Sequence, residues 1–199
     1  MTNGANTLTV QGAGSVTLSG VVGAGAGGIT MNGSGTLILS GANTYTGTTT
    51  IGSGIVQLGT ATSLGPAANA NVSMTGGTLR LNNFSATLVD LSGTAGTIDT
   101  NVAGTPTLTV NKAAGSSTFG GVIANGAAGT LSFTKGGAGA LVLGGANTFS
   151  GTTRVTAGTL TVSGSMADAM ALVLSGTGIY EYQGAAAGSS DTVGGADSQ

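Results

Sequence analysis

The chain has 199 residues, 40 of them glycine; only 5% are charged, and the net charge is −2. Ordinary soluble domains carry roughly 25% charged residues and about 7% glycine, so this exterior must be built from Thr, Ser, Asn, Gly and Ala. The four basic residues, Arg80, Lys112, Lys135 and Arg154, are scattered and leave no footprint for nucleic acid or anionic lipid. Hydrophobic residues make up 40%, too many for a chain disordered by composition. Cys and His are absent, which excludes disulfides, His- or Cys-ligated metal sites and Ser-His-Asp triads. Gly interrupts every apolar run well before the ~18 residues of a membrane span, so no membrane insertion is expected. The opening Met1-Thr-Asn-Gly-Ala-Asn6 lacks the basic start and apolar run of a signal peptide; any targeting segment is expected to lie elsewhere.

Taken in order, short segments in which Val, Ile, Leu and Thr alternate predict strands. In the first half they fall near 7–10, 15–18, 29–31, 36–39, 48–51, 55–58, 72–74, 78–81, 87–91 and 97–99. In the second half they fall near 107–110, 117–119, 130–133, 140–143, 152–155, 159–162, 171–174 and 179–182. Gly, Asn and Ser between them supply turns that need positive φ or local hydrogen bonds. The segment 165–172, with two Met and several Ala, departs from the pattern and reads as a longer loop feeding the next strand.

The chain also copies itself. The stretch from Gly33 to Gly59 returns as Gly137 to Ser163, with 12 of 27 positions identical and changes such as Tyr45 to Phe149 that keep physical type. Thr7-Leu-Thr-Val10 returns as Thr107-Leu-Thr-Val110, and Gly20-Val-Val22 as Gly121-Val-Ile123. Two tandem units follow, about 1–104 and 105–199, both ends cutting through a unit. Self-similarity at long period marks a solenoid. About ten strands per unit are expected to make four or five rungs, and equivalent residues of the two units to share one face. Alternation points Leu37, Leu39, Ile51 and Leu58 inward, and with them Leu141, Leu143, Val155 and Leu160. Tyr45 and Phe149 fit one corner, so the tyrosine hydroxyl reads as dispensable. Asn43 and Asn147 are expected to bond backbone groups within their own turns.

The repeated stretch resembles the autotransporter passenger-associated β-strand repeat. Gly35, Leu37, Leu39, Gly41, Asn43, Thr44, Tyr45, Gly47, Thr49 and Ile51 carry the resemblance in the first copy. Gly139, Leu141, Leu143, Gly145, Asn147, Thr148, Gly151, Thr153 and Val155 carry it in the second. It implies an all-β chain, a right-handed parallel β-helix, here of about eight to ten rungs. It also implies a passenger exported to the bacterial cell surface or beyond by a C-terminal barrel outside these residues.

Chemistry is sparse. The acids are Asp90, Asp99, Asp168, Glu181, Asp191 and Asp197, none within three residues of another. Glycoside hydrolysis needs two carboxylates at ~5–9.5 Å, and Asp90 with Asp99 is the pair to check. Solvated turn acids are the expected outcome, so no catalytic, cofactor-binding or metal-binding residue is assigned and no enzyme is expected. Thr-rich strands raise an ice-binding reading, but Arg154 interrupts the lattice and β propensity on an exposed face explains the threonines. The expected role is structural: a rigid, elongated stalk or adhesin scaffold, self-associating through open solenoid ends into filaments. The alternative is a module gripping a host surface, a glycan or a protein, for which Tyr180, Tyr182 and Phe84 are the aromatic candidates.

Overall fold

The computed structural model describes residues 3–167 and 170–183. No helix occurs among them; the strands are β1 (Leu8–Val10), β2 (Ser15–Leu18), β3 (Ile29–Met31), β4 (Thr36–Leu39), β5 (Thr49–Ile51), β6 (Ile55–Leu58), β7 (Asn71–Arg80) and β8 (Ala86–Leu88), followed by β9 (Asp90–Asp99), β10 (Thr107–Asn111), β11 (Ser116–Phe119), β12 (Val122–Ile123), β13 (Ser132–Gly136), β14 (Ala140–Leu143), β15 (Thr153–Val162) and β16 (Leu172–Tyr182). Every strand pairing is parallel. The strands form one continuous sheet wound into a β-solenoid of about nine turns. Glu181 and Asp99 sit at strand ends, while 168–169 and the acidic positions 191 and 197 lie outside the described residues, as does the stretch 184–199.

The winding has three faces. The first carries β1, β3, β5 and the N-terminal halves of β7 and β9. The second carries β2, β4, β6, the C-terminal halves of β7 and β9, and then β12. The third carries β8, β10, β13 and the N-terminal halves of β15 and β16. In the lower turns a lone bridge from Gly25 to Tyr45 marks this third face. The first face resumes at Phe119 of β11, opposite Gly93, and continues through β14 and the C-terminal halves of β15 and β16.

The two units do not share a face. Leu37 and Leu39 lie on the second face in β4, whereas their counterparts Leu141 and Leu143 lie on the first in β14. Likewise β1 is on the first face and its copy β10 on the third. The reason is length. On the first face Leu8, Ile29, Thr49, Val72 and Leu91 stack in register, so four turns take 83 residues. The next 17 cross two faces to Leu108, so a unit near 100 residues is four turns and two faces, not a whole number of turns. Reading 87–91 as one strand hid this: β8 ends at Leu88, β9 starts at Asp90, and Val89 turns the corner with its N–H on the Ala70 carbonyl at 2.9 Å.

The core is the inside of the winding. Leu37, Leu39, Ile51, Leu58, Leu141, Leu143, Val155 and Leu160 are all fully buried. Leu39 sits between Leu18 below and Leu58 above, and Leu37 between Val16 and Val56. Gly54 and Gly158 turn the same corner of each copy at φ 64° and 65°. A Cβ there would overlap the carbonyls of Gly33 and Gly35, or of Gly137 and Gly139, which is why the motif needs glycine at that place.

The buried asparagines bond mainly between turns, and Asn147 alone also bonds within its own. Asn43 Oδ1 accepts the Val22 N–H at 2.8 Å from the turn below, and its Nδ2 donates to the Ser63 carbonyl at 2.6 Å above. Asn147 repeats this with Ile123 at 3.0 Å and Ser165 at 3.2 Å, adding Gly145 of its own turn at 3.0 Å. The Tyr45 hydroxyl is not idle either. It meets Thr49 Oγ1 at 2.7 Å inside the core, and burial raises its pKa to about 12 despite that bond. In the second copy Phe149 has no hydroxyl, and Thr153 Oγ1 donates to Met170 Sδ at 3.0 Å instead.

Leu39→Ala is expected to lower stability by about 2–5 kcal/mol, because turns above and below hold the site open and it cannot collapse. Urea denaturation measures it; an unchanged midpoint would contradict the stacking described.

Candidate functional site

The carboxylate pair singled out from the sequence does not come together. Asp90 and Asp99 stand at the two ends of β9, on different faces of one turn. Each is held by a base. Arg80 Nε and Nη2 donate to Asp99 Oδ1 and Oδ2 at 3.1 and 3.2 Å, a bidentate pair between register neighbours of adjacent turns. Lys112 Nζ lies 3.0 Å from Asp90 Oδ2. Glu181 accepts from Thr161 Oγ1 at 3.1 Å. Among the described residues no three acids gather to hold a metal, and no helix is long and apolar enough to cross a membrane.

Lys135 is the unexpected charge. It points inward from β13 and is 0% exposed. Its ammonium donates to the carbonyls of Gly136, Gly137 and Ala157 at 2.6, 2.8 and 3.3 Å. Burial pushes its pKa below the usual 10.5. The offset of 104 aligns Lys135 with Met31, an ordinary core residue. It also aligns Gly137 with Gly33, and Ala157 with Ser53. In the first copy the Ser53 hydroxyl donates to the Gly33 carbonyl at 3.1 Å. In the second copy that position is Ala157, which has no hydroxyl, and Lys135 covers the same carbonyl. The lysine is thus a structural donor replacing a serine one turn away.

Two surface regions remain. At the corner between the second and third faces, the loops 82–85, 100–106, 124–131 and 149–152 stack into a ledge. Asn83 N–H bonds Thr100 Oγ1 at 3.2 Å, and Thr130 N–H bonds the Gly104 carbonyl at 2.9 Å. Asn125 Oδ1 accepts the N–H groups of Leu131 and Ser150 at 2.9 and 3.1 Å. Asn82 and Asn83 adopt φ 52° and 64°, a conformation that asparagine tolerates. The rim, including Asn101, Val102 and Ala127, is exposed and uncharged. Below it, a groove of about 260 Å³ lies between the 60–70 loop and β8, lined by residues such as Thr62, Leu64, Ala67, Ser85 and Thr87. Such a lining offers contact and hydrogen bonds but nothing that ionises.

The second region is the pair of solenoid ends. Inward-facing residues are sealed in the middle turns but open here: Val16 of β2 is 40% exposed and Leu174 of β16 is 43% exposed, while Leu37, directly above Val16, is 0%. Among the described residues β1 and β2 have no strand beneath them, and β16 pairs with β15 alone. Tyr180 and Tyr182 point inward on this last turn, beside Leu160 and Val162, so they are the edge of the core and not an aromatic row on the surface. Phe84 packs against the core from its loop.

Parallel strands on three faces around one aliphatic column define a β-solenoid repeat protein. A family model, the passenger-associated-transport-repeat, matches residues 29–58 and again residues 133–162. The chain therefore carries two such repeats, the first running from β3 to β6 and the second from β13 to the end of β15. Comparison with curated proteins and with solved structures gives no match.

The lysine exchange makes a quantitative expectation. An ammonium held out of water costs on the order of several kcal/mol, offset here by its three carbonyls. Lys135→Met with Ala157→Ser restores the first copy's arrangement and should raise stability by about 1–3 kcal/mol. Lys135→Met alone should gain less, because the Gly137 carbonyl is orphaned. The pH dependence has a definite sign. Between the lowered folded value and 10.5 the unfolded chain holds a proton that the folded chain does not. The wild type should therefore gain stability as pH rises through that window, and carry the full penalty below it. The double variant should lack the rise. Denaturant midpoints of the three proteins across pH 7–10.5 check both points, and a double variant no more stable than Lys135→Met would refute the exchange.

Proposed function

We propose that the chain is a rigid scaffold segment of an autotransporter passenger, carried to the bacterial surface or released, and not an enzyme. The observation that carries this is the continuity of the two passenger-associated-transport-repeats in one sheet of parallel turns. A column of turns with a shared core transmits position along its length, which is what a stalk requires. The ion-paired ends of β9 favour the non-catalytic reading, since each carboxylate already has a structural partner.

Export is tested by replacing a known passenger with this chain, between a signal peptide and a translocator barrel. Protease added outside intact cells should then cut the displayed chain. A folded chain retained in the periplasm would count against the reading. Catalysis is tested separately. Asp90→Asn with Asp99→Asn should weaken stability by roughly 1–4 kcal/mol, since both pairs are mostly buried, and remove no polysaccharide-cleaving activity, there being none to remove. Turnover lost in that variant would overturn the structural role. An adhesive role is a second reading, favoured by the stacked loop ledge. Binding to a glycan array that disappears on Val102→Asp, with the fold unchanged, would support it.

A further inference from the structure

We propose that the edge of β8 facing the 60–70 loop is a docking site for an extended, uncharged peptide strand whose backbone pairs with Thr87. The edge lies inside the winding, with turns above and below it.

On the third face β10, β13 and β15 each rest on the strand before, starting from β8. Among the described residues β8 pairs with β10 alone, so its other edge has no strand against it. Backbone groups alternate sides along a strand. Val89 sends its N–H to the Ala70 carbonyl of the turn below at 2.9 Å, so two residues back the N–H and C=O of Thr87 point the same way. The loop gives them no partner, because it bonds to itself. Gly65 N–H goes to the Thr62 carbonyl at 3.1 Å, and the N–H groups of Asn69 and Ala70 share the Pro66 carbonyl at 2.8 and 3.0 Å. The length of this loop is peculiar to the first copy. Fifteen residues separate Leu58 from Met74, and only eleven separate the matching Val162 from Leu174.

The groove beneath this edge is built in advance. Ser63 is buried and pins the loop: its hydroxyl accepts the N–H groups of Gly59 and Thr60 at 3.2 and 3.0 Å and donates to the Leu39 carbonyl at 2.6 Å. Its carbonyl accepts from Asn43 Nδ2. Little ordering of the loop is then left for a partner to bring about. An unpaired N–H and C=O on one strand residue recognise another extended backbone, and the side chains select among such backbones. Ala86 and Leu88 face inward and Thr87 outward. The same alternation in an added strand sets apolar residues beside Leu64 and Ala86, and a hydroxyl beside Thr62, Ser85 and Thr87. β10 has that pattern in Leu108-Thr-Val110 and lies in register on the opposite edge of β8. No charged side chain lines the groove, so an ionised group entering it would lose water without gaining a counter-charge. No aromatic ring lines it, so a sugar would find no face to stack on. A space of about 260 Å³ takes a short segment and not a folded domain.

Amide hydrogen exchange on the full chain reads the edge directly. In the free protein Thr87 should exchange fast, and Leu88, turned toward β10, slowly. The probe is a capped peptide with the β10 sequence, Thr-Leu-Thr-Val-Asn. At about ten times its Kd it should slow Thr87 exchange about tenfold and shift the amide resonances of Thr62 and Ala67. The same peptide N-methylated along its backbone should do neither. Thr87→Pro removes the N–H that faces the groove and none that the β8–β10 ladder uses. It should abolish binding with circular dichroism unchanged. Ala67→Phe, at an exposed loop position, should abolish it by filling the groove. Equal protection of Thr87 and Leu88 in the free protein would show the edge already covered and overturn the docking. So would no protection of Thr87 up to the solubility limit of the peptide, or binding that survives N-methylation or Ala67→Phe. Resonance shifts confined to strands away from the groove would also overturn it, as would a neutral oligosaccharide that protects Thr87 where the peptide does not. None of these outcomes bears on the export test, so the two readings are separable.

Discussion

Each turn of this solenoid can satisfy its backbone only against its neighbours. A parallel strand sends its N–H and C=O groups sideways to the strands above and below, and short strands of three or four residues have too few such groups to hold a turn alone. The aliphatic column has the same dependence. Leu39 is buried because Leu18 and Leu58 lie against it, and those in turn depend on the turns beyond. Asn43 and Asn147 tighten the arrangement at the corners, where strand pairing lapses. One side-chain amide accepts from the turn below and donates to the turn above, so three turns share one residue. A buried amide has no water to fall back on, and this gives the corner its own register.

The two copies differ in a compensated way. Where Tyr45 becomes Phe149, the threonine that paired with the lost hydroxyl takes a methionine sulfur as its partner. Where Ser53 becomes Ala157, the carbonyl that the serine covered is covered by Lys135, from a position that holds Met31 in the first copy. Each exchange keeps the interior donors and acceptors paired, which is the condition under which a buried polar group costs little. Identity is lost between the copies, but the pairing is retained.

Much of this was legible in the chain of letters. The alternation around Leu37, Leu39, Leu141 and Leu143 identifies the inward side, and the repeat with its glycines identifies a parallel winding. The phase between the copies was not legible. It depends on whether 87–91 is one strand or a strand, a corner and the start of another, and a single valine at the corner leaves no turn residue to signal it. The asparagines fall at the expected corners, but apart from the Asn147 bond to Gly145 their partners lie 18 to 24 residues away, and such a bond has no local signature when turn length varies. Lys135 was hidden by its type. Lysine is seldom fully buried, and only its alignment with Met31 betrays it. The pairing of Asp99 with Arg80 needed the register of adjacent turns, which spacing alone does not supply.

The one-face phase between the copies has a geometric consequence for any longer array. If the same rotation recurred, a given side chain would return to its starting face only after three repeats, about fourteen turns, or roughly 67 Å at the usual strand separation. Successive repeats would present their corners along a spiral, as treads wind around a newel post. A partner lying flat along one side would then meet the same tread only at that long interval, whereas one that wraps around the post would meet every tread.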